Sequence, residues 1–267
     1  MSSATALSTL AGRRLALTAR TPRQILVPLL TPVLFALVIA PALQTALGGL
    51  GAHIDYKAFV AIGTVGLLVP LTTIFAGLSV IVDRDSGAQR ELLAAPVPRS
   101  FLVLGNLAVA LAVSALQITV LIAVALARGA DLHASASGIA WFVGAAFLFA
   151  VFMYGVAEIL ASRVPQQEEY IAATPAVAIL PWFFAGALFP IVALPGALTA
   201  FAKVLPLTHA LAVMRYGLLG DNGAGLHDIW GAGSTTGEAF LSLGVVAVFA
   251  AAFITLAVRV FSRAALR

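Results

Sequence analysis

Cysteine is absent from the 267 residues, lysine occurs only at Lys57 and Lys203, and 10% of the chain is charged. The first absence excludes disulfides and any thiolate metal or redox site. The scarcity of charge excludes an ordinary water-soluble domain, in which about a quarter of the residues are Asp, Glu, Lys or Arg. The phosphate-cradling run G-x-x-x-x-G-K-[ST] occurs nowhere, so the chain is not itself a P-loop ATPase. No internal repeat is visible and nothing separates a second domain.

What is present is apolar: 61% of residues are hydrophobic and the mean hydropathy is +1.06. Six windows each supply the roughly 20 apolar residues needed to cross a hydrocarbon layer. They predict spans at 24–47, 58–82, 100–127, 137–161, 170–192 and 238–259. The windows are too long and too uniformly apolar for barrel strands, which alternate over about ten residues. The expected fold is an all-α integral membrane protein forming one domain over 1–267.

Arginine sets the orientation. With the N-terminus inside, the inner segments hold Arg13, Arg14, Arg20, Arg23, Arg84, Arg90, Arg99, Arg163, Arg259, Arg263 and Arg267. The outer segments hold only Lys57, Arg128, Lys203 and Arg215. Basic residues concentrate on the cytoplasmic side, which places both termini inside a plasma membrane. The net charge of +4 then serves an anionic lipid surface and needs no nucleic acid.

Before the first span, Leu7, Leu10, Ala11 and Leu15 share a helical face while Arg13 and Arg20 lie off it, which predicts an interfacial amphipathic helix. A cleaved secretory signal ending near Ala40-Pro41-Ala42 is the weaker reading, because the apolar run continues past that point and contains Pro28 and Pro32. Thr21 and Pro22 suit the cap and first position of span one. Late in the chain, 194–219 is apolar but interrupted by Pro195, Pro206, His209 and Arg215. Each half is too short to span alone, and a seventh crossing would reverse the arginine rule. A re-entrant helical hairpin on the outer side is the expectation.

Between spans two and three lies the segment 83–99, DRDSGAQRELLAAPVPR, with three acids, three bases, one glycine and two prolines. Ser86 and Gln89 fit a capping box, Asp83 and Asp85 favour a helix N-terminus, and Pro96 turns Ala95 out of the helix. The reading is a short rigid cytoplasmic helix over about 86–95.

The run Asp83-Arg84-Asp85, Gly87, Glu91-Leu92-Leu93 and the prolines before Arg99 resembles the cytoplasmic element of ABC-2 type permeases. Phe189-Pro190, Leu194-Pro195, Leu205-Pro206-Leu207-Thr208, Arg215 and Gly220 resemble the same family's signature after its fifth span, with drug and lipid exporters of the daunorubicin-resistance type the nearest in flavour. The resemblance implies a bacterial inner-membrane permease that is not an enzyme. It would pair with a second copy or a related permease and dock an ATP-binding cassette subunit, which carries the ATP and magnesium. This chain would hold no cofactor or metal of its own. Asp83, Arg84, Asp85, Gly87, Glu91, Leu92 and Arg99 are then the coupling candidates, with Glu91 as a docking contact and Gly87 as a close backbone approach. The leading aspartates depart from the family's more usual glutamates.

Thr72, Thr73 and Ser79 in span two, with Trp182, Phe183 and Phe184 in span five, suit a path for an amphipathic substrate. Glu158 is the one charge that falls inside a span; a charge that snorkels to the nearby inner surface or pairs there, with Arg163 five residues on, is the expected arrangement, against a proton-coupling role. Two other classes stay open. A secondary transporter would show internal symmetry and charged midplane sites. An outward-facing metalloenzyme would draw on His53, His133, His209 and His227 beside Asp55, Asp131, Asp221 and Asp228, whose spacings match no ligand motif. Solvated outer loops account for the histidines.

Overall fold

The computed structural model describes residues 3–47, 55–94, 97–133, 135–220 and 225–264, and all regular structure among them is helical. Helix α1 (Ser3–Ala19) precedes a long run made of α2 (Arg23–Leu34), a π-helical turn at Phe35–Ile39, and α3 (Ala40–Leu47). The π turn follows Pro32, whose missing N–H removes a rung of the helical ladder. The join differs slightly from expectation: Pro22 takes the cap position of α2, and the Thr21 hydroxyl bonds back to the carbonyls of Leu17 and Thr18.

Then come α4 (Tyr56–Asp85), α5 (Ala88–Ala94), α6 (Arg99–Ala127) and α7 (Ala136–Arg163). Asp55 caps α4 by accepting from the Lys57 N–H, and its other oxygen accepts from the Asp131 N–H in the α6–α7 connection. One carboxylate therefore fixes two helix junctions at that end of the bundle.

Among the described residues five stretches are long and apolar enough to cross a membrane: Ile25–Ala46, Tyr56–Asp85, Arg99–Ala127, Ala136–Arg163 and Thr235–Arg263. The segment expected as span five is present as a broken run of α8 (Gln167–Ala172), a π turn at Pro175–Ile179 and α9 (Leu180–Phe184). Pro175 and Pro181 sit at its breaks. After a turn at Gly186 the chain forms α10 (Gly196–Ala202), α11 (Pro206–Leu219), α12 (Leu226–Trp230) and α13 (Thr235–Ala264). Helices α10 and α11 are bent by 78°, and Pro206 opens α11. The 194–219 segment is thus two short helices meeting at a proline.

Helix α4 runs through the middle. Its residues Ala58, Val60, Ala61, Ile62, Val65 and Leu68 are fully buried, with α2, α3, α6, α7 and α11 packed around it. Helix α7 also contacts α11 and α13. Gly138 of α7 and Gly217 of α11 meet where a methyl on either would overlap the other's carbonyl, so only glycine permits that approach. Gln117, buried in α6, donates to the Ile25 carbonyl of α2 and accepts from the Thr72 hydroxyl of α4. A single amide cross-links three helices in an otherwise apolar contact.

Helix α1 lies along α6, with Leu10 and Ala11 against Gly105. The inward face differs from the expected stripe by one residue. Leu15 is 50% exposed, whereas Arg14 is only 7% exposed. Arg14 continues the Leu7, Leu10 and Ala11 face at helical spacing, and an acid on α4 makes that burial tolerable.

Candidate functional site

The acid-Arg-acid run forms the last turn of α4 and does not begin a new helix. The capping box is not formed: the Ser86 hydroxyl donates to the Asp83 carbonyl at 3.3 Å and so helps end α4. Gly87 follows at φ +79°, the left-handed conformation that helix ends assign to glycine. A methyl there would meet nothing within 4 Å, so within this chain Gly87 is required by its backbone angle, not by crowding. Helix α5 then starts at Ala88. The expected turn at Ala95 and Pro96 lies outside the described residues.

Three of the seven coupling candidates point into the bundle. Asp83 Oδ2 accepts from Arg14 Nη1 at 3.0 Å, joining α4 to α1. Burial holds the Arg14 guanidinium below its ordinary pKa, and Asp83 offsets part of that shift. Arg84 reaches the end of α7, donating to the carbonyls of Ala161 at 3.2 Å, Val164 at 3.1 Å and Pro165 at 2.8 Å. Carbonyls at a helix C-terminus lack intrahelical donors and carry partial negative charge, so Arg84 caps α7 from a neighbouring helix. Arg99 does the same for α13, donating to Ser262 O at 2.9 Å.

The remaining candidates divide by face. Leu92 and Leu93 of α5 are half-buried against the inner apolar cluster. Asp85, Arg90 and Glu91 stand exposed, and Glu91 makes no hydrogen bond or ion pair among the described residues. The result is a helix of about two turns held on its apolar side, offering a charged side to whatever approaches.

Glu158 is not paired with Arg163. It is fully buried, and the Tyr154 hydroxyl lies 2.8 Å from its Oε2, while Arg163 is exposed. Helix α7 turns Glu158 toward α6 because Tyr154, one turn earlier on the same face, lies 3.2 Å from the Val103 carbonyl and draws that face inward. Among the described residues its Oε1 has no partner.

The path candidates are not brought together within one chain. Thr72 and Thr73 are buried, and their hydroxyls bond the carbonyls of Leu68 and Pro70, the second being the proline inside α4. Ser79 bonds the Ala76 carbonyl. Trp182 is buried and donates to the Gly63 carbonyl at 2.8 Å. Phe183 faces outward at 47% exposure, and Phe184 meets the Phe201 ring of α10 edge-on at 5.8 Å.

At the opposite end of α4, Arg215 of α11 is buried. Its Nη2 donates to Ala187 O at 3.0 Å and Phe59 O at 3.4 Å, and its Cζ lies 3.4 Å above the Phe59 ring centroid. Gly63 makes room: a methyl there would overlap the Ala187 carbonyl. Pro195 caps α10, exposed. The histidines do not assemble. His209 is not on a solvated loop; it is buried against Trp230, with ring nitrogens 2.9 Å from Lys203 O and 3.2 Å from Ser242 Oγ. His227 is exposed beside Glu238, and His53 and Asp221 lie outside the described residues. Among the described residues no three His, Asp or Glu side chains gather as a metal site.

Sequence reasoning missed Arg14, Gln117 and Tyr154. A lone amide in an apolar window and a base opposite an unpaired acidic run are the signals that point to the first two.

A bundle of apolar helices long enough to cross a membrane, with a short charged helix exposed at one end, defines a multi-pass membrane protein. The ABC-2 type transporter family model matches residues 5–219, and the chain belongs to that family. It is therefore a membrane permease of an ABC transporter, a transport subunit and not itself an enzyme; such permeases generally partner with an ATP-binding cassette subunit. Comparison with curated proteins finds no match.

Proposed function

We propose that the protein is the membrane half of a bacterial exporter of the drug- and lipid-exporting kind, moving an amphipathic substrate outward across the inner membrane. A separate subunit holds ATP and magnesium and hydrolyses the ATP. The observation that carries this reading is α5: its leucines are fixed to the bundle while Arg90 and Glu91 remain free. A push on α5 passes through Gly87 into α4, and from Arg84 into the end of α7.

In this reading the broken run 167–184 is the fifth of six crossings, about 27 Å long if helical throughout at about 1.5 Å per residue. Both termini and α5 face the cytoplasm, following the arginine distribution. The α10–α11 pair is the outer re-entrant hairpin. Two permeases associate so that the outward-facing surface of α2, α3 and α9, carrying Leu26, Leu30, Leu34 and Phe183, borders the substrate path.

The test is affinity purification of the permease with its co-expressed ATP-binding subunit, reading vanadate-sensitive ATP hydrolysis and transport in vesicles. A Gly87→Pro, Glu91→Arg variant is expected to lose both the subunit and transport, because proline cannot adopt φ +79°. Retention of both by that variant refutes docking through α5.

A further inference from the structure

We propose that the cavity at the far end of α4 from α5 is a binding site for a phosphate-type oxyanion. The cavity measures about 210 Å³ and is bounded by Phe59, Ile191, Thr208, Arg215 and Asp228 among others. Thr208 is 3% exposed and Arg215 4% exposed. Both present an unpartnered polar atom, Thr208 Oγ1 and Arg215 Nε. Buried donors nearly always have partners, and leaving one unmade is costly. Here two of them line one hollow.

The two residues are seven apart on α11, hence on the same face two turns apart. Side chains on a helix lean toward its N-terminus, which brings the long Arg215 chain back toward Thr208. Among the described residues no carboxylate pairs with Arg215, whose bonded partners are two neutral carbonyls and a ring. Water would satisfy the donors but leave the charge uncompensated. An oxyanion does both, because a guanidinium edge and a hydroxyl match phosphate oxygens. Phe59, Ile191 and Ile229 line the rest of the cavity, fitting the apolar body of an amphiphile. Asp228 adds a negative charge to the lining and forms no ion pair among the described residues, so it opposes the anion and limits its affinity.

The oxyanion can come from a lipid headgroup or from free phosphate. The inference does not depend on the transport reading, because binding is read on the purified full-length permease alone. The chain in neutral detergent is titrated with inorganic phosphate, with dioctanoyl phosphatidic acid, and with dioctanoylglycerol as the phosphate-free control, using calorimetry and the unfolding midpoint. Phosphatidic acid is expected to bind and raise the midpoint, whereas dioctanoylglycerol does neither. A response to inorganic phosphate as well assigns the site to the free anion; a response to phosphatidic acid alone assigns it to a headgroup. Arg215→Gln is expected to weaken binding by about tenfold or more and Thr208→Val by about threefold to tenfold, while Arg215→Lys retains part of it. Asp228→Asn is expected to tighten it, a result that a purely structural Arg215 would not produce. Failure of both phosphate probes to bind the folded wild-type chain, or unchanged affinity in Thr208→Val and Asp228→Asn, overturns the proposal.

Discussion

The two ends of α4 use arginine in opposite ways. At the α5 end, Arg84 and Arg99 direct their donors at carbonyls that end α7 and α13, and Arg14 meets Asp83. At the far end, Arg215 is more deeply buried than Arg84 or Arg99 and, among the described residues, keeps Nε unpartnered beside a cavity. The first group joins helices; the second is arranged to receive something. Residue type does not separate the two uses. The partner does: Arg14 also has an unpartnered Nη2 but is held by Asp83, whereas no carboxylate pairs with Arg215 among the described residues.

The contrast breaks most severely at Asp83. Asp83→Ala leaves the buried Arg14 without its acid and is expected to cost about 3 kcal/mol, near the lower end for stranding one partner of a buried pair. Unfolding of the purified chain in detergent reads it, and an Arg14→Met, Asp83→Leu double variant should recover much of the loss. Arg84→Met comes next: it keeps the apolar stem, removes three bonds to the end of α7, and should cost about 2 kcal/mol in the same assay. Glu91→Arg should leave the unfolding midpoint in place while reducing affinity for the ATP-binding subunit about tenfold, read by binding of the two purified proteins. Gly87→Ala should have the smallest effect, about 1 kcal/mol from a left-handed angle in otherwise open space, with Gly87→Asn milder. If Arg84→Met proves silent in stability but abolishes subunit binding, the inner arginines belong with the receptors and the distinction between the two ends fails.

Much of the fold was legible because the bilayer imposes length. Apolar windows of about 20 residues and proline punctuation located the long helices and the bent pair at 194–219. The segment 83–99 was legible as containing a short charged helix, but not the direction of its side chains. Arg84 bonds carbonyls 77 to 81 residues away, and Arg99 one 163 residues away. A backbone carbonyl leaves no residue-specific trace in a sequence. The buried face of α1 was misjudged at its last position because hydropathy ranks Leu15 above Arg14; the ion pair with Asp83 reverses that ranking, and only the fold brings the two together. Glu158 was assigned to Arg163 by proximity in sequence, whereas five residues apart on a helix is more than a full turn and faces elsewhere.

The uncharged stretch of α4 from Ala58 to Val82 is about 37 Å long at roughly 1.5 Å per residue, some 7 Å more than a hydrocarbon layer of about 30 Å. A helix with such an excess leans, or thickens the lipid around it. Because α5 joins the end of that helix through Ser86 and Gly87 and rests its leucines on the bundle, the lean bears on the height and angle of α5. Asp83 and Arg84 tie that end of α4 to α1 and α7, so any lean belongs to the bundle as a whole and carries the charged tip with it.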